Sequence, residues 1–170
     1  MGSKRIAVVS TGGTIEKTYD AFSGILENRL STLDVMIASL ELRAIQIDRI
    51  GLMNKDSLEM DDADHDLIAR VTNEKAQSYD GVVVVHGTDR LAISGERILS
   101  LGKPPVPVVL TGAMRPFELR HTDALQNLTE SFLAVQILPP GVYAVMHNQV
   151  LAFPGVTKDH QAGTFRGTGL

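Results

Sequence analysis

The sequence contains no cysteine and no tryptophan, and aromatic residues make up only 5% of its 170 positions. Without cysteine the chain can form no disulfide, no thiolate metal site and no cysteine nucleophile. This absence fits a reducing compartment, so we expect a cytoplasmic protein. No apolar run approaches the roughly 20 residues that a membrane helix needs, and the N-terminus lacks the apolar segment of a signal peptide. We therefore expect no contact with a membrane.

An excess of basic charge is also missing. The 16 Lys and Arg residues are outnumbered by 20 Asp and Glu residues, which gives a formal net charge of −4. The basic residues are scattered and form no stripe, so we expect no nucleic-acid partner. Hydrophobic residues account for 44% of the chain, and this length suits one buried core better than two. Residues 1–170 are therefore predicted to form a single domain.

Short apolar runs alternate with segments of helical spacing along the chain. Strands are predicted at 6–10, 44–50, 81–86, 106–110, 142–146 and 150–153, and helices at 32–40, 61–77, 91–101 and 122–135. The segment 18–28, which contains Gly24, and the tail from Gly155 onward are predicted to be loops. Alternating strands and helices predict a three-layer αβα fold with a mostly parallel sheet.

Three of the predicted strands are followed by short polar loops that contain glycine. These loops are Thr11-Gly12-Gly13-Thr14, Gly87-Thr88-Asp89 and Thr111-Gly112-Ala113-Met114-Arg115-Pro116. Because parallel strands end at the same edge of a sheet, the three loops are expected to line one crevice. Glycine also lets backbone N–H groups approach a ligand closely, as stabilisation of an oxyanion requires. Each loop taken alone is equally typical of an ordinary turn.

Two other kinds of site are weaker alternatives. The first loop matches neither glycine-rich phosphate-binding pattern and no predicted helix follows it directly, which disfavours a nucleotide site. Asp61, Asp62, Asp64 and Asp66 could suggest a metal site, but acids at a helix start are more often solvated and favoured by the helix dipole. The histidines lack the spacing of metal ligands, and His86 is interpreted as a structural histidine. No metal or cofactor is expected.

Four segments in order resemble the bacterial-type L-asparaginase/glutaminase family. They are Thr11-Gly12-Gly13-Thr14-Ile15, His86-Gly87-Thr88-Asp89, the segment from Val109 to Pro116, and Val156-Thr157-Lys158. The resemblance runs over nearly the whole chain and implies a flavodoxin- or Rossmann-like α/β domain. Members of the family usually carry a second, C-terminal domain that completes the pocket of a neighbouring subunit. The resemblance therefore implies a short, one-domain member without those residues.

The resemblance also implies the catalytic roles. Thr14 is the expected nucleophile and Tyr19 the residue that activates it; the weaker alternative for Tyr19 is an aromatic residue of a surface loop. Thr88, Asp89 and Lys158 form the expected second catalytic group. Because an ordinary lysine is protonated at neutral pH, Lys158 is interpreted as polarising Thr88 or relaying a proton rather than as a simple base. Asp89 is also predicted to cap the helix that begins at Leu91.

The same resemblance implies a substrate-binding set. It comprises Gly13, Ser57, Leu58, Gly87, Thr88, Asp89 and Ala113. Asp89 would bind the ammonium group of an amino acid, and Ser57 with loop N–H groups would bind its carboxylate. Leu58 and Arg90 depart from the polar residues common at these positions in the family, which puts the substrate preference in question.

The function that the resemblance implies is hydrolysis of L-asparagine to L-aspartate and ammonia through an acyl-threonine, with weak glutaminase activity also allowed. A homo-oligomer, dimer or tetramer, is expected on the same basis. The rival interpretation is a non-catalytic domain that binds an amino acid for regulation. A third is an amidotransferase subunit acting on aminoacylated tRNA, which the absence of a basic face disfavours.

Overall fold

The computed structural model describes residues 2–20, 25–28 and 30–167. Ten strands are present in these residues: β1 (Lys4–Ser10), β2 (Lys17–Asp20), β3 (Ile25–Asn28), β4 (Ile45–Gly51), β5 (Gly81–Val85), β6 (Pro107–Thr111), β7 (Gly141–Met146), β8 (Gln149–Ala152), β9 (Val156–Asp159) and β10 (Thr164–Gly167). Four α-helices accompany them: α1 (Leu30–Ala38), α2 (Asp62–Ala76), α3 (Leu91–Ser100) and α4 (Ala124–Ile137).

Six strands form one sheet in the order β4-β1-β5-β6-β7-β8. The first five are parallel to one another, and only β8 runs antiparallel, against β7. The predicted α/β fold with a mostly parallel sheet is therefore confirmed. Because β1, β5 and β6 are neighbours, the loops that follow them leave the sheet side by side.

The core lies on both faces of this sheet, and the valines of β5 show why. Side chains alternate between the faces of a strand, so Val82 and Val84 pack with residues of α2 and α3. Val83 and Val85 pack on the opposite face with residues of α1 and α4. Burial of each such side chain contributes about 1.5–3 kcal/mol to folding. An uninterrupted apolar run is thus what a strand covered on both faces requires.

The acidic residues at the start of α2 stabilise that helix. The Asp61 carboxylate accepts a hydrogen bond from the Asp64 backbone N–H, and the Asp64 carboxylate accepts one from the Asp61 N–H. This reciprocal capping box satisfies N–H groups that the helix leaves unpaired. Asp62 and Asp66 both bind Arg97 on α3. The interpretation of these acids as a helix start, rather than a metal site, agrees with these contacts.

Two predicted loops are wrong. The segment 18–28 contains the antiparallel strands β2 and β3, and the tail contains the antiparallel strands β9 and β10. Each strand has only four residues, and the glycines and polar residues around them resemble a loop in composition. The β-branched and aromatic residues inside these strands favour an extended backbone, which pairs once a partner strand lies alongside. Gly24 lies outside the described residues.

Candidate active site

The loops that follow β1 and β5 touch each other at their glycines. Gly13 has a φ of +94°, which L-residues with a side chain rarely adopt. A Cβ atom at Gly13 would lie 2.5 Å from the Cα of Gly87. These glycines directly precede Thr14 and Thr88, so the close approach of the two backbones brings the two threonine-bearing turns together.

Ser57 lies against the same point from a third segment. It begins a 3-10 turn, Ser57–Glu59, and a Cβ atom at Gly87 would lie 2.6 Å from its Oγ. The side chain is only 1% exposed, and its hydroxyl has no hydrogen-bond partner among the described residues. A buried hydroxyl without a partner costs free energy, so Ser57 is a candidate to bind a ligand at the meeting point of these loops. Leu58 follows it with a side chain that is 61% exposed.

Lys158 joins the β9–β10 hairpin to the second loop. Its Nζ donates to Thr88 Oγ1 over 2.8 Å and to Asp89 Oδ1 over 2.7 Å. The lysine side chain is 13% exposed and that of Asp89 33%, so the lysine is shielded from water while the carboxylate stays partly accessible. An ammonium group has no lone pair, so a protonated Lys158 in this arrangement donates to the Thr88 hydroxyl and cannot accept its proton.

The prediction that Asp89 caps a helix is wrong. Arg90 occupies the cap position of α3 and makes no side-chain cap hydrogen bond. The Asp89 carboxylate binds Lys158 instead, which leaves it directed to the same cluster as Thr88. The Arg90 guanidinium binds the backbone carbonyl of Met60 and so ties α3 to the segment that carries Ser57.

Thr14 begins a short 3-10 turn, Thr14–Glu16, and is half-buried. The backbone N–H of Glu16 donates to the Gly13 carbonyl over 3.1 Å. The Glu16 side chain is fully buried, and neither carboxyl oxygen makes a hydrogen bond of standard geometry within the described residues. Burial raises the pKa of Glu16 to about 7, although the nearby Arg49 guanidinium and the Gly12 backbone oppose the rise. A protonatable acid therefore supports the turn that presents Thr14.

Tyr19 lies on β2 of the hairpin that follows this turn. Its side chain is 60% exposed, and its backbone N–H donates to the Glu118 carboxylate over 2.8 Å. The hairpin is also tied down by Lys17, whose Nζ is 2.7 Å from Asp56 Oδ2. That hydrogen bond lowers the pKa of Asp56, and Asp56 in turn caps the turn that begins at Ser57.

The loop after β6 carries Ala113, which is only 1% exposed. Asp123 holds this loop in place by accepting hydrogen bonds from the backbone N–H groups of Met114 and Arg115, both over 2.9 Å. Burial alone would raise the pKa of Asp123, but hydrogen bonds from Met114, His147 and Arg115 outweigh it and leave the pKa below its ordinary value. The Asp123 carboxylate is thus a fixed anionic anchor for the third loop.

His147 connects that anchor to the hairpin of Lys158. Its Nε2 lies 2.7 Å from Asp123 Oδ2, and its Nδ1 lies 2.9 Å from Thr164 Oγ1 on β10. Neither Asp123 nor His147 was predicted from the sequence. Neither residue lies in a recognisable motif. His147 lies in a tight turn with a φ of +53°, a backbone conformation that the sequence does not reveal.

His86 makes hydrogen bonds through both ring nitrogens, to the Gly87 carbonyl and to Ser94 Oγ. Its interpretation as a structural histidine agrees with this. Within the described residues no three His, Asp or Glu side chains are placed to hold a metal ion. None of the helices in this part of the chain is long and apolar enough to span a bilayer.

The family model described as "Asparaginase, N-terminal" matches residues 5–166. The chain belongs to the asparaginase family. The resemblance seen in the four sequence segments is therefore confirmed.

Among curated relatives, an L-asparaginase of Thermococcus kodakarensis is 30% identical over 162 residues, which cover 94% of this chain and 49% of the relative. A glutamyl-tRNA(Gln) amidotransferase subunit of Haloquadratum walsbyi is 33% identical over 166 residues, which cover 96% of this chain and 36% of the relative. The chain thus spans half or less of the length of these relatives.

The solved structure of the thermostable L-asparaginase from Thermococcus kodakarensis superposes with a TM-score of 0.87 at 28% identity. The superposition covers 96% of this chain and 51% of the other. The αβα fold with its six-stranded sheet is therefore shared with an asparaginase.

Proposed function

We propose that this protein hydrolyses the side-chain amide of L-asparagine to L-aspartate and ammonia. The observation that carries the proposal is the contact of Gly13 with Gly87, which unites the Thr14 turn with the loop whose Thr88 and Asp89 bind Lys158. Acyl transfer to a hydroxyl needs a nucleophile and neighbouring groups that polarise it or relay its proton. Two hydroxyls, a carboxylate and an ammonium group provide such a set. Neither a metal nor a cofactor is required for this reaction.

In the proposed reaction, Thr14 Oγ attacks the amide carbon, and the hydroxyl proton is passed on to the departing ammonia. Backbone N–H groups near Gly13 and Thr88 stabilise the oxyanion that forms. Water then hydrolyses the acyl-threonine and releases aspartate. Tyr19 would assist Thr14 when its hairpin lies over the crevice. Lys158 would polarise the Thr88 hydroxyl, to which it already donates.

Substrate recognition is assigned to groups around the same crevice. Lys158 contacts Oδ1 of Asp89, and we assign the second carboxylate oxygen to the ammonium group of the amino acid. The unpartnered, buried hydroxyl of Ser57 is assigned to the substrate carboxylate. Ala113 and the backbone of Leu58 would complete the pocket wall. We propose asparagine as the main substrate with weak activity toward glutamine; Leu58, in place of the polar residue common there in the family, makes this preference a matter for direct assay.

Release of ammonia from asparagine tests the proposal. Wild type should release ammonia, and Thr14→Ala should reduce kcat by at least about 1000-fold, because no nucleophile remains. Thr129→Ala is the matched control, since Thr129 lies exposed on α4 and bonds only within its own helix. Glutamine and D-asparagine assayed in parallel define the substrate. Equal turnover in wild type and Thr14→Ala would reject Thr14 as the nucleophile.

The rival function, amino-acid binding without catalysis, predicts a different result. Asparagine would then bind to wild type in a calorimeter while no ammonia appears. Substitution Ser57→Ala should weaken binding under either function, because it removes the hydroxyl assigned to the carboxylate. Ammonia release is therefore the measurement that separates the two.

A second catalytic candidate is an amide-hydrolysing subunit that passes ammonia to a partner. Several relatives are named as subunits of glutamyl-tRNA(Gln) amidotransferase, which favours this alternative over others. It predicts little hydrolysis of free asparagine by the chain alone. Full turnover of asparagine by the isolated protein would reject it. We place either activity in the cytoplasm, in keeping with a chain that has no cysteine.

A further inference from the structure

Three buried polar side chains form a continuous hydrogen-bonded chain that ends on the second loop of the site. His65 Nδ1 on α2 lies 2.7 Å from Ser94 Oγ on α3. The same hydroxyl lies 2.8 Å from His86 Nε2, and His86 Nδ1 lies 2.7 Å from the Gly87 carbonyl oxygen. None of the three side chains is more than 2% exposed. Burying such a series of polar groups costs free energy unless each donor faces an acceptor.

The direction of these hydrogen bonds follows from their chemistry. A carbonyl oxygen can only accept, so His86 Nδ1 carries the hydrogen. Burial lowers the pKa of His86 to about 4, which keeps the ring neutral near pH 7 and leaves Nε2 as an acceptor. The Ser94 hydroxyl must then donate to Nε2, and it accepts in turn from His65 Nδ1–H. Every hydrogen in the chain therefore points toward Gly87.

The far end of the chain lies on a peptide group of the proposed oxyanion site. The carbonyl of Gly87 and the N–H of Thr88 belong to the same peptide. A hydrogen bond accepted by the carbonyl draws electron density from the amide nitrogen and makes its N–H a stronger donor. We propose that His65, Ser94 and His86 are positioning residues that polarise the Gly87–Thr88 peptide, so that the Thr88 N–H stabilises the oxyanion more strongly. This inference rests on the proposed hydrolysis.

Ser94 is the decisive member because its hydroxyl links the two imidazole rings. The hydrogen bond that Ser94 donates to Nε2 draws electron density from the His86 ring and makes its Nδ1–H a stronger donor to the Gly87 carbonyl. Without that bond the tautomer stays the same, because the carbonyl still requires a hydrogen on Nδ1, but the hydrogen bond to the carbonyl weakens. A serine remote from the substrate would thus control the strength of a donor within the site.

Substitution Ser94→Ala tests the inference with two readouts. Because the oxyanion exists only in the transition state, kcat for asparagine should fall about five- to tenfold, and KM should change less than about twofold. The amide proton of Thr88, followed by NMR in the absence of substrate, should move upfield as its polarisation is lost. A purely structural serine would lower the melting temperature while leaving both kcat of the folded enzyme and the Thr88 resonance unchanged.

A matched control and a second pair of variants complete the test. Ser131 is also fully buried in a helix, and its hydroxyl donates to the Asn127 carbonyl of that helix over 2.7 Å, so Ser131→Ala should leave kcat and the Thr88 resonance unchanged. If Ser94→Ala fails to fold, two substitutions at His65 test the same inference. His65→Leu removes the donor and should lower kcat, whereas His65→Asn retains an N–H at the Nδ1 position and should restore it.

Several outcomes would overturn the inference. One is a folded Ser94→Ala protein with an unchanged kcat, and another is a fall in kcat without any movement of the Thr88 resonance. Equal losses in Ser94→Ala and Ser131→Ala would also contradict it. If wild type releases no ammonia, the proposed function fails by itself, and the Thr88 resonance in Ser94→Ala then decides whether the hydrogen-bonded chain polarises this peptide.

Discussion

Lys158 binds both polar side chains of the loop that follows β5. It donates to Thr88 over 2.8 Å and to Asp89 over 2.7 Å. Substitution Lys158→Met should lower kcat for asparagine about 100-fold or more. Loss of a side chain that takes part in proton transfer typically has an effect of this size. Lys75→Met is the control, because Lys75 pairs with Glu74 on the surface, and its kcat should equal that of wild type. Wild-type kcat in Lys158→Met would contradict the role assigned here.

Glu16 should make the stability of the protein depend on pH. Its pKa is raised from 4.5 to about 7 by burial, so between these values the folded state keeps a proton that the unfolded state has lost. Stability from this group is therefore complete below pH 4.5 and declines as pH rises, with a total loss of about 3 kcal/mol above pH 7.

Denaturant unfolding at pH 5 and pH 8 measures this effect. The free energy of unfolding of wild type should fall between the two values by more than that of Glu16→Gln, which has no proton to lose. Glu74→Gln, a change at an exposed position, should follow the wild-type profile. The same pH dependence in Glu16→Gln and wild type would show that Glu16 does not titrate in this range.

The residues of the candidate site differ in how far a sequence reveals them. Thr14, Thr88 and Lys158 each lie in a short contiguous pattern that singles them out in the sequence, and their catalytic roles stay a prediction. Asp123 and His147 act through contacts 24 positions apart along the chain, and no local pattern marks them. Their roles depend on which strands lie side by side in the folded protein, and the local sequence does not specify that arrangement.

At the scale of elements, the β9–β10 hairpin is the segment that brings Lys158 to the site. Lys158 pairs with Phe165 across this hairpin, and the adjacent Thr164 bonds His147, which in turn bonds Asp123. One imidazole thus joins the hairpin of Lys158 to the loop that carries Ala113. The two segments should therefore hold their relative position as a unit.

Substitution Thr164→Val tests this link, since it removes the hydroxyl and keeps the shape. Without the hydrogen bond to His147, we expect kcat to fall about two- to fivefold, the effect of one modest hydrogen bond, and amide exchange in β9 to accelerate. Thr157→Val, on the exposed side of the same hairpin, is the control and should change neither. Unchanged exchange in Thr164→Val would show that the hairpin is held by other contacts.

The elements were predictable to the extent that their stability is local. Helix α2 carries its own capping box at Asp61 and Asp64, and β5 carries its own run of buried valines, so both appear in the sequence pattern. The four-residue strands of β2–β3 and β9–β10 have no comparable signal. An isolated two-stranded hairpin is marginal in water, and these two form because they dock on the rest of the fold.

At the scale of the whole molecule, the alternation of strands and helices predicted the layers and the parallel sheet, but not the order β4-β1-β5-β6-β7-β8. That order arises from pairings between distant segments, such as β1 with β5. It is nevertheless what sets the loops after β1, β5 and β6 side by side. A single domain over residues 1–170 remains a prediction, since the relatives are about twice as long or longer.

The expected homo-oligomer also belongs to this scale and remains a prediction. Leu133 and Ile137 on α4 and Val150 on β8 are 50–72% exposed and line one groove, an apolar surface of the kind that subunit contacts cover. Sedimentation velocity should show a dimer or tetramer for wild type and a smaller species for Ile137→Lys. Leu101→Lys, at an exposed leucine just after α3, is the control. A monomeric wild type at micromolar concentrations would contradict the prediction.

The central claim is that Thr14 forms a covalent bond to the substrate in the crevice between its own turn and the Thr88 loop. Acid-quenched mixtures of the enzyme with asparagine, digested and examined by mass spectrometry, test it most directly. The peptide that contains Thr14 should carry an aspartyl ester during turnover, and Thr14→Ala should show none. Turnover with the ester on Thr88 instead, or with no modified peptide in a quench fast enough to capture a single turnover, would contradict the account.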